Sequence, residues 1–320
     1  MKLMSKVDLI NEAKNKGYRP EILEKVFLLL RLLEQFFSVS YLRERLVLKG
    51  GTALNLFVFD NLPRLSIDLD FNYIGSLNRA TMLRERQEVE SLIVKIAQQN
   101  KFTLYRHPNR HAGGKMVFIY ESLLGHKGRL EVDLNYIFRI ALFGCDYRRT
   151  NIWPLETTDI PILDIHELAA GKFHALFSRA ASRDLFDSHK LLTTINLDLQ
   201  KLRLAFTVYA GMETGKWQFI HVDKVNLDVD DILSKLVPVL KSSEIKSTNK
   251  KAIKEWGATL IEECKSKLSL VLPFADNEIK FLEGLQKRGV IEPALITDNE
   301  VLQRKIINHP SLRWRVKQLK

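Results

Sequence analysis

A chain of 320 residues can bury a sizeable core and form two domains, and its 49 Lys and Arg against 38 Asp and Glu, a net charge of +11, favour polyanionic partners without dictating a fold. Cys145 and Cys264 have neither metal spacing nor a disulfide framework, which suits a reducing cytosol and sets aside zinc modules and disulfide-stapled secreted scaffolds. Residues 1–19 are too polar for a secretory signal, and the most apolar run, Val26 to Phe37, is too short and too interrupted by Arg31, Glu34 and Gln35 to span a bilayer, so a cytoplasmic protein without membrane contact is expected.

Residues 1–19 are expected to form a polar lead-in helix. Pro20 then suits the first turn of a strong helix, in which Ile22, Leu23, Val26, Phe27, Leu30, Leu33 and Phe37 recur at helical spacing as core. A short helix around Tyr41 to Arg45 leads to a brief strand at Leu46 to Leu48. Gly50, Gly51 and Thr52 follow as a turn, and a helix and turn run from Thr52 to Asn61. The glycine pair lets the backbone approach a phosphate chain, with amide donors aimed at it. From Arg64 to Phe71 the residues alternate: Ile67, Leu69 and Phe71 face one way, Ser66, Asp68, Asp70 and Asn72 the other. Asp68 and Asp70 therefore stand side by side on a strand face. Such close like charges resist joint ionisation unless a cation sits between them. A hard divalent ion with oxygen ligands resolves this, and Mg2+ in phosphoryl-transfer sites uses one or two carboxylates plus substrate phosphates. A solvated strand edge is the plainer alternative for a lone D-x-D.

Leu77 to Asn100 reads as a long amphipathic helix capped by Asn78, with Leu83, Val89, Leu92, Ile93 and Ile96 as its stripe. Strands are expected at Lys101 to His107 and Lys115 to Tyr120. The turn between them carries Arg110 and His111, with Lys115 just beyond, and is either a solvated tip or a phosphate or RNA contact. A third strand, Gly128 to Phe138, puts Leu130, Val132 and Leu134 on the core side and Glu131, Asp133 and Asn135 on the other. Asp164 and Glu167 make a D-x-x-E helix start. In the following stretch Lys172, Arg179 and Arg183 fall within roughly 40° of one another if one helix runs through, at about 100° per residue. Alternatively Ser182-Arg183-Asp184 starts a new helix, with Arg183 and Asp187 as an i,i+4 contact.

Beyond Leu192 a helix is expected at Leu197 to Tyr209, a turn at Gly211 to Gly215, a short strand at Trp217 to Val222 and a helix at Asp228 to Leu240. Lys241 to Lys254 reads as an exposed basic linker. Helices at Glu255 to Lys267 and Asp276 to Arg288 and a terminal helical pair from Pro293 complete the chain. The expected domains are 1–160 and a mostly helical 161–320, either a support domain or a lobe that grips RNA with basic residues and an aromatic side chain.

The Gly50-Gly51 turn followed by a helix and a D-x-D strand resembles the nucleotidyltransferases of the DNA polymerase β superfamily. More narrowly, Lys49-Gly50-Gly51-Thr52-Ala53-Leu54 followed by Arg64-Leu65-Ser66-Ile67-Asp68-Leu69-Asp70-Phe71 resembles the AbiEii/MenT nucleotidyltransferase-like toxins of toxin–antitoxin and abortive-infection systems. The likeness spans roughly Leu46 to Leu192 and includes the K-x6-R-x3-R-D-x2-D motif from Lys172 to Asp187. It implies an α+β fold: a polymerase β-like core, a small mixed sheet flanked by helices, with a helical C-terminal domain. It implies Asp68 and Asp70 as ligands of Mg2+ or Mn2+, completed by a carboxylate on the next strand. Asp133 matches that position best and Glu131 is its rival. Gly50, Gly51, Thr52 and Ser66 would lie on the nucleoside triphosphate. Lys172 would contact its phosphates, Asp187 would be needed for activity, Arg179 and Arg183 would meet phosphate or RNA, and Asp184 would hold the arginines. The implied acceptor is RNA, by family likeness the tRNA 3′ end, and the implied partner is a cognate antitoxin. Ser66 is either a silencing phosphorylation site beside the metal carboxylates or a hydroxyl that only bonds the active-site turn. Two other classes share the pocket: a nucleotide-binding regulator without transfer, and a nucleotidyltransferase acting on small molecules.

Overall fold

The computed structural model describes residues 4–108, 112–152, 155–212 and 217–319. The chain forms two compact units, one of residues 1–139, 145–162 and 238–246, the other of 140–144, 163–237 and 247–320. The expected division near residue 160 is thus crossed by two short segments, 140–144 and 238–246.

In the first unit, α1 (Lys6–Lys16) starts on a Ser5–Asp8 capping box and stops at Gly17, whose φ of 74° is the left-handed conformation glycine tolerates. The helix α2 (Pro20–Ser38) opens on Pro20, and the short α3 (Ser40–Arg43) leads into β1 (Leu46–Lys49). The turn of helix α4 (Gly50–Ala53) widens into a π-helical turn, Leu54–Val58. Then come β2 (Asp68–Tyr73) and α5 (Arg79–Gln99), capped by Asn78, which accepts from the Thr81 amide at 3.0 Å. The strands β3 (Thr103–Arg106), β4 (Gly113–Glu121), β5 (Lys127–Asn135) and β6 (Cys145–Arg148) follow, then the pair β7 (Asn151–Ile152) and β8 (Leu155–Glu156), and finally β9 (Ile160–Leu163). The expected turn residues Arg110 and His111 lie outside the described residues.

Among the described residues the main sheet has seven strands in the order β3-β4-β5-β2-β1-β9-β6. It is mixed: β1 runs antiparallel to β2, β2 parallel to β5, and β3, β4 and β5 form an antiparallel meander. Leu48, Phe71, Leu134 and Phe118 line one face and are buried. Phe71 is met edge-on by Phe36 and Phe37 of α2, with ring centroids 6.4 and 5.8 Å away. Each such side chain is worth about 1.5–3 kcal/mol of burial, so this face anchors the unit. Buried Glu24 of α2 ties down the β4–β5 turn, accepting from the Ser122 hydroxyl and the Leu123 amide, both at 2.6 Å. Beside the stretch leading into β2, the Leu65 amide donates to the Val239 carbonyl at 2.8 Å, and the Lys241 amide to that of Pro63 at 3.1 Å.

The second unit is helical throughout its described residues: α6 (Ile165–Arg179), α7 (Ser182–Thr194), α8 (Leu199–Met212), the single turn α9 (Val229–Asp231), α10 (Lys250–Leu268), α11 (Asp276–Glu283), α12 (Glu300–Ile307) and α13 (Pro310–Lys317). One helix does not run through the Lys172–Arg183 region. Ala180 takes a left-handed φ of 48°, and α7 restarts at Ser182, whose amide and hydroxyl both donate to Asp231. The expected strand at Trp217 to Val222 is instead two 3-10 turns, Trp217–Phe219 and Val222–Lys224. The helix α8 continues through Gly211, where a turn was expected, and a Cβ there would stand 2.7 Å from a Leu285 methyl. The expected linker is cut short by α10, which starts at Lys250 because the Asn249 side chain caps it, accepting from the Ala252 amide at 2.8 Å.

Glu167 does not complete the expected capping box at Asp164. It is buried, accepting from the Phe143 amide at 3.1 Å and the Tyr209 hydroxyl at 3.5 Å. Burial pushes its pKa up to about 7, against the pull of the Phe143 and Leu142 amides. The folded state therefore binds a proton that the unfolded chain releases near pH 4.5, and stability falls as pH rises from there to about 7. Glu167→Gln removes this loss. Thermal unfolding is expected to show the variant gaining on the wild type by about 2–3 kcal/mol at pH 8 and by little at pH 5.

Candidate active site

The carboxylate-bearing site is built on the sheet face opposite Phe71. The pairing register sets it. Lys49 of β1 lies across from Asp70 of β2, Asp70 across from Asp133 of β5, and Asp133 across from Lys115 of β4. Directly paired residues share a face, so this row reads lysine, aspartate, aspartate, lysine across four strands. One step along, Asp68 is opposite Glu131. The pairing sets each rival for third carboxylate beside one member of the β2 pair. Asp133 lies alongside Asp70, while Glu131 accepts from the Lys115 ammonium at 2.7 Å. That bond lifts the Lys115 pKa above the ordinary lysine range. Lys49 is half-buried, and burial lowers its pKa against the opposing fields of Asp70 and Asp133.

The glycine turn presses on the same row. Gly50 has φ of 72°, and a Cβ there would stand 2.5 Å from Asp70 Oδ2. At Gly51 a Cβ would stand 2.7 Å from Arg64 Nη2 and 3.0 Å from Ser66 Oγ. A side chain at either position would have to displace these groups, and the left-handed backbone at Gly50 favours glycine in itself. The Thr52 hydroxyl donates to the Asp68 carbonyl, and Asn55 Nδ2 donates to the Gly51 carbonyl at 3.0 Å. Ser66 is buried, and its hydroxyl donates to Asp68 Oδ1 at 3.1 Å. The Ser66 hydroxyl is thus bonded to one of the β2 carboxylates and not to the glycine turn itself. Arg64, buried under the same turn, donates from Nη1 to the Leu65 carbonyl at 3.1 Å. Gly50→Ala is expected to cost about 1–2 kcal/mol of folding stability from the left-handed backbone alone, measurable by denaturant unfolding, and to displace Asp70.

Asp68, Asp70 and Asp133 offer hard oxygen donors on one face, the chemistry a small divalent cation requires. Among the described residues no three of His, Cys, Asp and Glu close into a ready-made cage. A cleft of about 510 Å3 near Tyr18, Phe57 and Lys241 contains none of these carboxylates.

In the second unit, the expected downstream residues form a charge cluster of their own. The Lys172 ammonium donates to Asp184 and lies 2.9 Å from a carboxylate oxygen of each of Asp184 and Asp187. Its side chain is 8% exposed, and those of Asp184 and Asp187 are 1% and 0% exposed. Arg179 grips Asp184 with Nε at 2.5 Å and Nη2 at 2.9 Å while staying largely exposed. Asp184 thus holds Arg179, as expected, and also half of Lys172. Arg183, on the first turn of α7, is half-buried.

Sequence reasoning left Lys49 and Arg64 without roles. Lys49 had a signal in its place just before the glycine turn, whereas the backbone at Arg64 bridges to Leu240 of the distant 238–246 segment, which no local pattern shows.

A mixed sheet with paired carboxylates opposite a glycine turn, followed by a helical unit, is the architecture of a nucleotidyltransferase toxin. The chain is similar in structure to MenT4, a nucleotidyltransferase toxin from Mycobacterium tuberculosis H37Rv, with a TM-score of 0.58 over 95% of this chain and 98% of that one, at 18% identity. Residues 31–258 match the family model described as the nucleotidyl transferase AbiEii toxin of type IV toxin–antitoxin systems, and the chain belongs to that family. No curated protein sequence matches it. No helix among the described residues is long and apolar enough to cross a membrane.

Proposed function

We propose that this toxin transfers a nucleotidyl group from a nucleoside triphosphate to an RNA 3′ hydroxyl, with the tRNA 3′ end as acceptor, in the cytoplasm and under the control of a cognate antitoxin. The observation that carries the proposal is the fit between Gly50 and Asp70: the backbone turn that would receive phosphates sits against one of the two β2 carboxylates, with no space for a side chain between them.

Asp68 and Asp70 would hold Mg2+ or Mn2+, with Asp133 as the adjoining donor. When bound, the ion would neutralise phosphate charge and lower the pKa of the attacking hydroxyl. The residues of the chain do the rest. The Gly50–Thr52 turn offers backbone amides to the terminal phosphates. The Ser66 hydroxyl fixes one oxygen of Asp68, and the Thr52 hydroxyl fixes the strand that carries it. Lys49 and Lys115 limit the repulsion among four neighbouring carboxylates. Asp133 would hold the proton of the acceptor hydroxyl, or an ion, beside Asp70. In the reaction the acceptor hydroxyl oxygen bonds to the α-phosphorus, the bond to the bridging oxygen breaks, and pyrophosphate leaves. Lys172 would meet phosphate by exchanging a carboxylate partner, and Asp187 would keep it positioned. Arg179 and Arg183 would add phosphate or RNA contacts.

The test is incubation of the protein with α-labelled nucleoside triphosphates and total RNA. Label entering RNA, and lost with Asp68→Ala, supports the proposal. Binding of nucleotide without transfer supports a regulator instead, and label on a small molecule supports the third class.

A further inference from the structure

The carboxylate face of the sheet does not end at Asp133. Along β5, Arg129, Glu131 and Asp133 alternate onto one side, and the pairing of β4 with β3 carries that side to the sheet's edge. Arg106 of β3 is opposite Val117, which is opposite Glu131, so Arg106 shares the face. The register shifts between Leu104 and Arg106, leaving Tyr105 as the extra residue of a bulge. Bulges re-aim side chains, and this one puts the Tyr105 ring beneath the Arg129 guanidinium, 5.1 Å from its centroid. Tyr105 is 61% exposed, and Arg106 and Arg129 are exposed as well. A large aromatic ring held in water on an edge strand beside two arginines does nothing for the core.

We propose that Tyr105, Arg106 and Arg129 form a platform for the unpaired end of the acceptor RNA, resting on the nucleotidyl-transfer function proposed above. An exposed aromatic face can stack only on a base not already stacked inside a duplex, which selects a single strand. The arginines supply charge for the adjoining phosphates, and Lys127, on the same face but loosely paired with Glu121 at 3.8 Å, adds to the rim. Arg129 is four residues from Asp133, about 13 Å along the strand. An RNA end resting on the platform thus needs only its last few nucleotides to reach the carboxylates. A second exposed tyrosine under an arginine, Tyr147 with Arg43 at 5.6 Å, sits on the opposite edge strand and serves as an internal control.

The experiment measures binding of a labelled single-stranded oligoribonucleotide with a free 3′ hydroxyl, and of a blunt hairpin of the same composition, by fluorescence anisotropy with the full chain. Tyr105→Ala is expected to weaken single-strand binding roughly 5- to 150-fold, with Tyr105→Phe restoring most of it. Arg129→Ala is expected to reduce the slope of log affinity against log salt by about 0.7 for each phosphate that the arginine had neutralised. Tyr147→Ala is expected to leave affinity in place. Equal loss in Tyr147→Ala, equal affinity for the hairpin, or no loss in Tyr105→Ala and Arg129→Ala overturns the platform. In the transfer assay, a raised KM for nucleotide with an unchanged KM for RNA also overturns it. Failure of transfer altogether overturns the enzymatic proposal, while the binding arm still decides the platform.

Discussion

Asp68→Ala is expected to lower nucleotidyl transfer by at least about 10²–10³-fold while leaving the fold intact. The side chain is half-buried on the face opposite the aromatic core, so its removal opens no cavity against Phe36, Phe37 or Phe71. Its loss removes one of the two β2 oxygen donors and releases the Ser66 hydroxyl that orients it. A metal ion contributes several kcal/mol to stabilising phosphoryl charge, and each 1.36 kcal/mol is tenfold in rate. The measurements are single-turnover label transfer at saturating Mg2+ and Mn2+, with circular dichroism melting as the folding control. Chelation of divalent ions in the wild type is expected to reproduce the loss, and restored ions to reverse it. Full activity in Asp68→Ala, or in the presence of chelator, would remove the carboxylate pair from the mechanism.

The second large effect falls on stability. Lys172→Met is expected to destabilise the helical unit by about 3–5 kcal/mol, because Asp184 and Asp187 stay buried without the ammonium between them. Arg179 still reaches Asp184, but from an exposed position where solvent weakens its hold. The melting transition should fall on the order of 10 °C. Burial works against the Asp184 charge, yet Lys172 and then Arg179 hold its pKa below the ordinary carboxylate value. A depressed folded-state pKa gives stability that is present at neutral pH and lost as pH falls through that lower value. In the variant the larger part of that protection is gone, and Asp184 takes up a proton more readily. The gap between wild type and variant is therefore expected to be widest near pH 7 and to narrow towards pH 4. Replacing Lys172, Asp184 and Asp187 together by apolar residues of similar size should cost less than Lys172→Met alone. A Lys172→Met protein that melts with the wild type but transfers no nucleotide would place the lysine on substrate and not in the scaffold.

What could be read from the residues followed the range over which each signal acts. The alternation from Ser66 to Phe71 is local, and it places Asp68 and Asp70 together on β2 as the structure does. The glycine turn was legible for the same reason, since a glycine pair admits the left-handed backbone that Gly50 adopts. That Asp133 and not Glu131 lies beside Asp70 is a matter of strand register, set by β2 pairing with a strand nearly 60 residues further on. The charges on Lys172 and Arg179 suggested a stripe along one helix, but periodicity cannot show a left-handed residue such as Ala180, which turns the chain so that α6 and α7 face each other across the ion cluster. Glu167 has the spacing of a cap, and only packing reveals that its carboxyl is spent on the backbone at Phe143. The 3-10 turns after Trp217 have no period long enough to recognise, and their apolar residues imitate a short strand.

The segment 238–246 has a consequence for synthesis. It is made long after every carboxylate of β2 and β5, yet it backs the stretch in which Arg64 and Ser66 are set, through Val239 and Lys241. A ribosome that has released residues 1–200 has delivered all the chemistry of the sheet but not the brace behind it. The backing of that stretch is therefore completed only once about three-quarters of the chain has emerged.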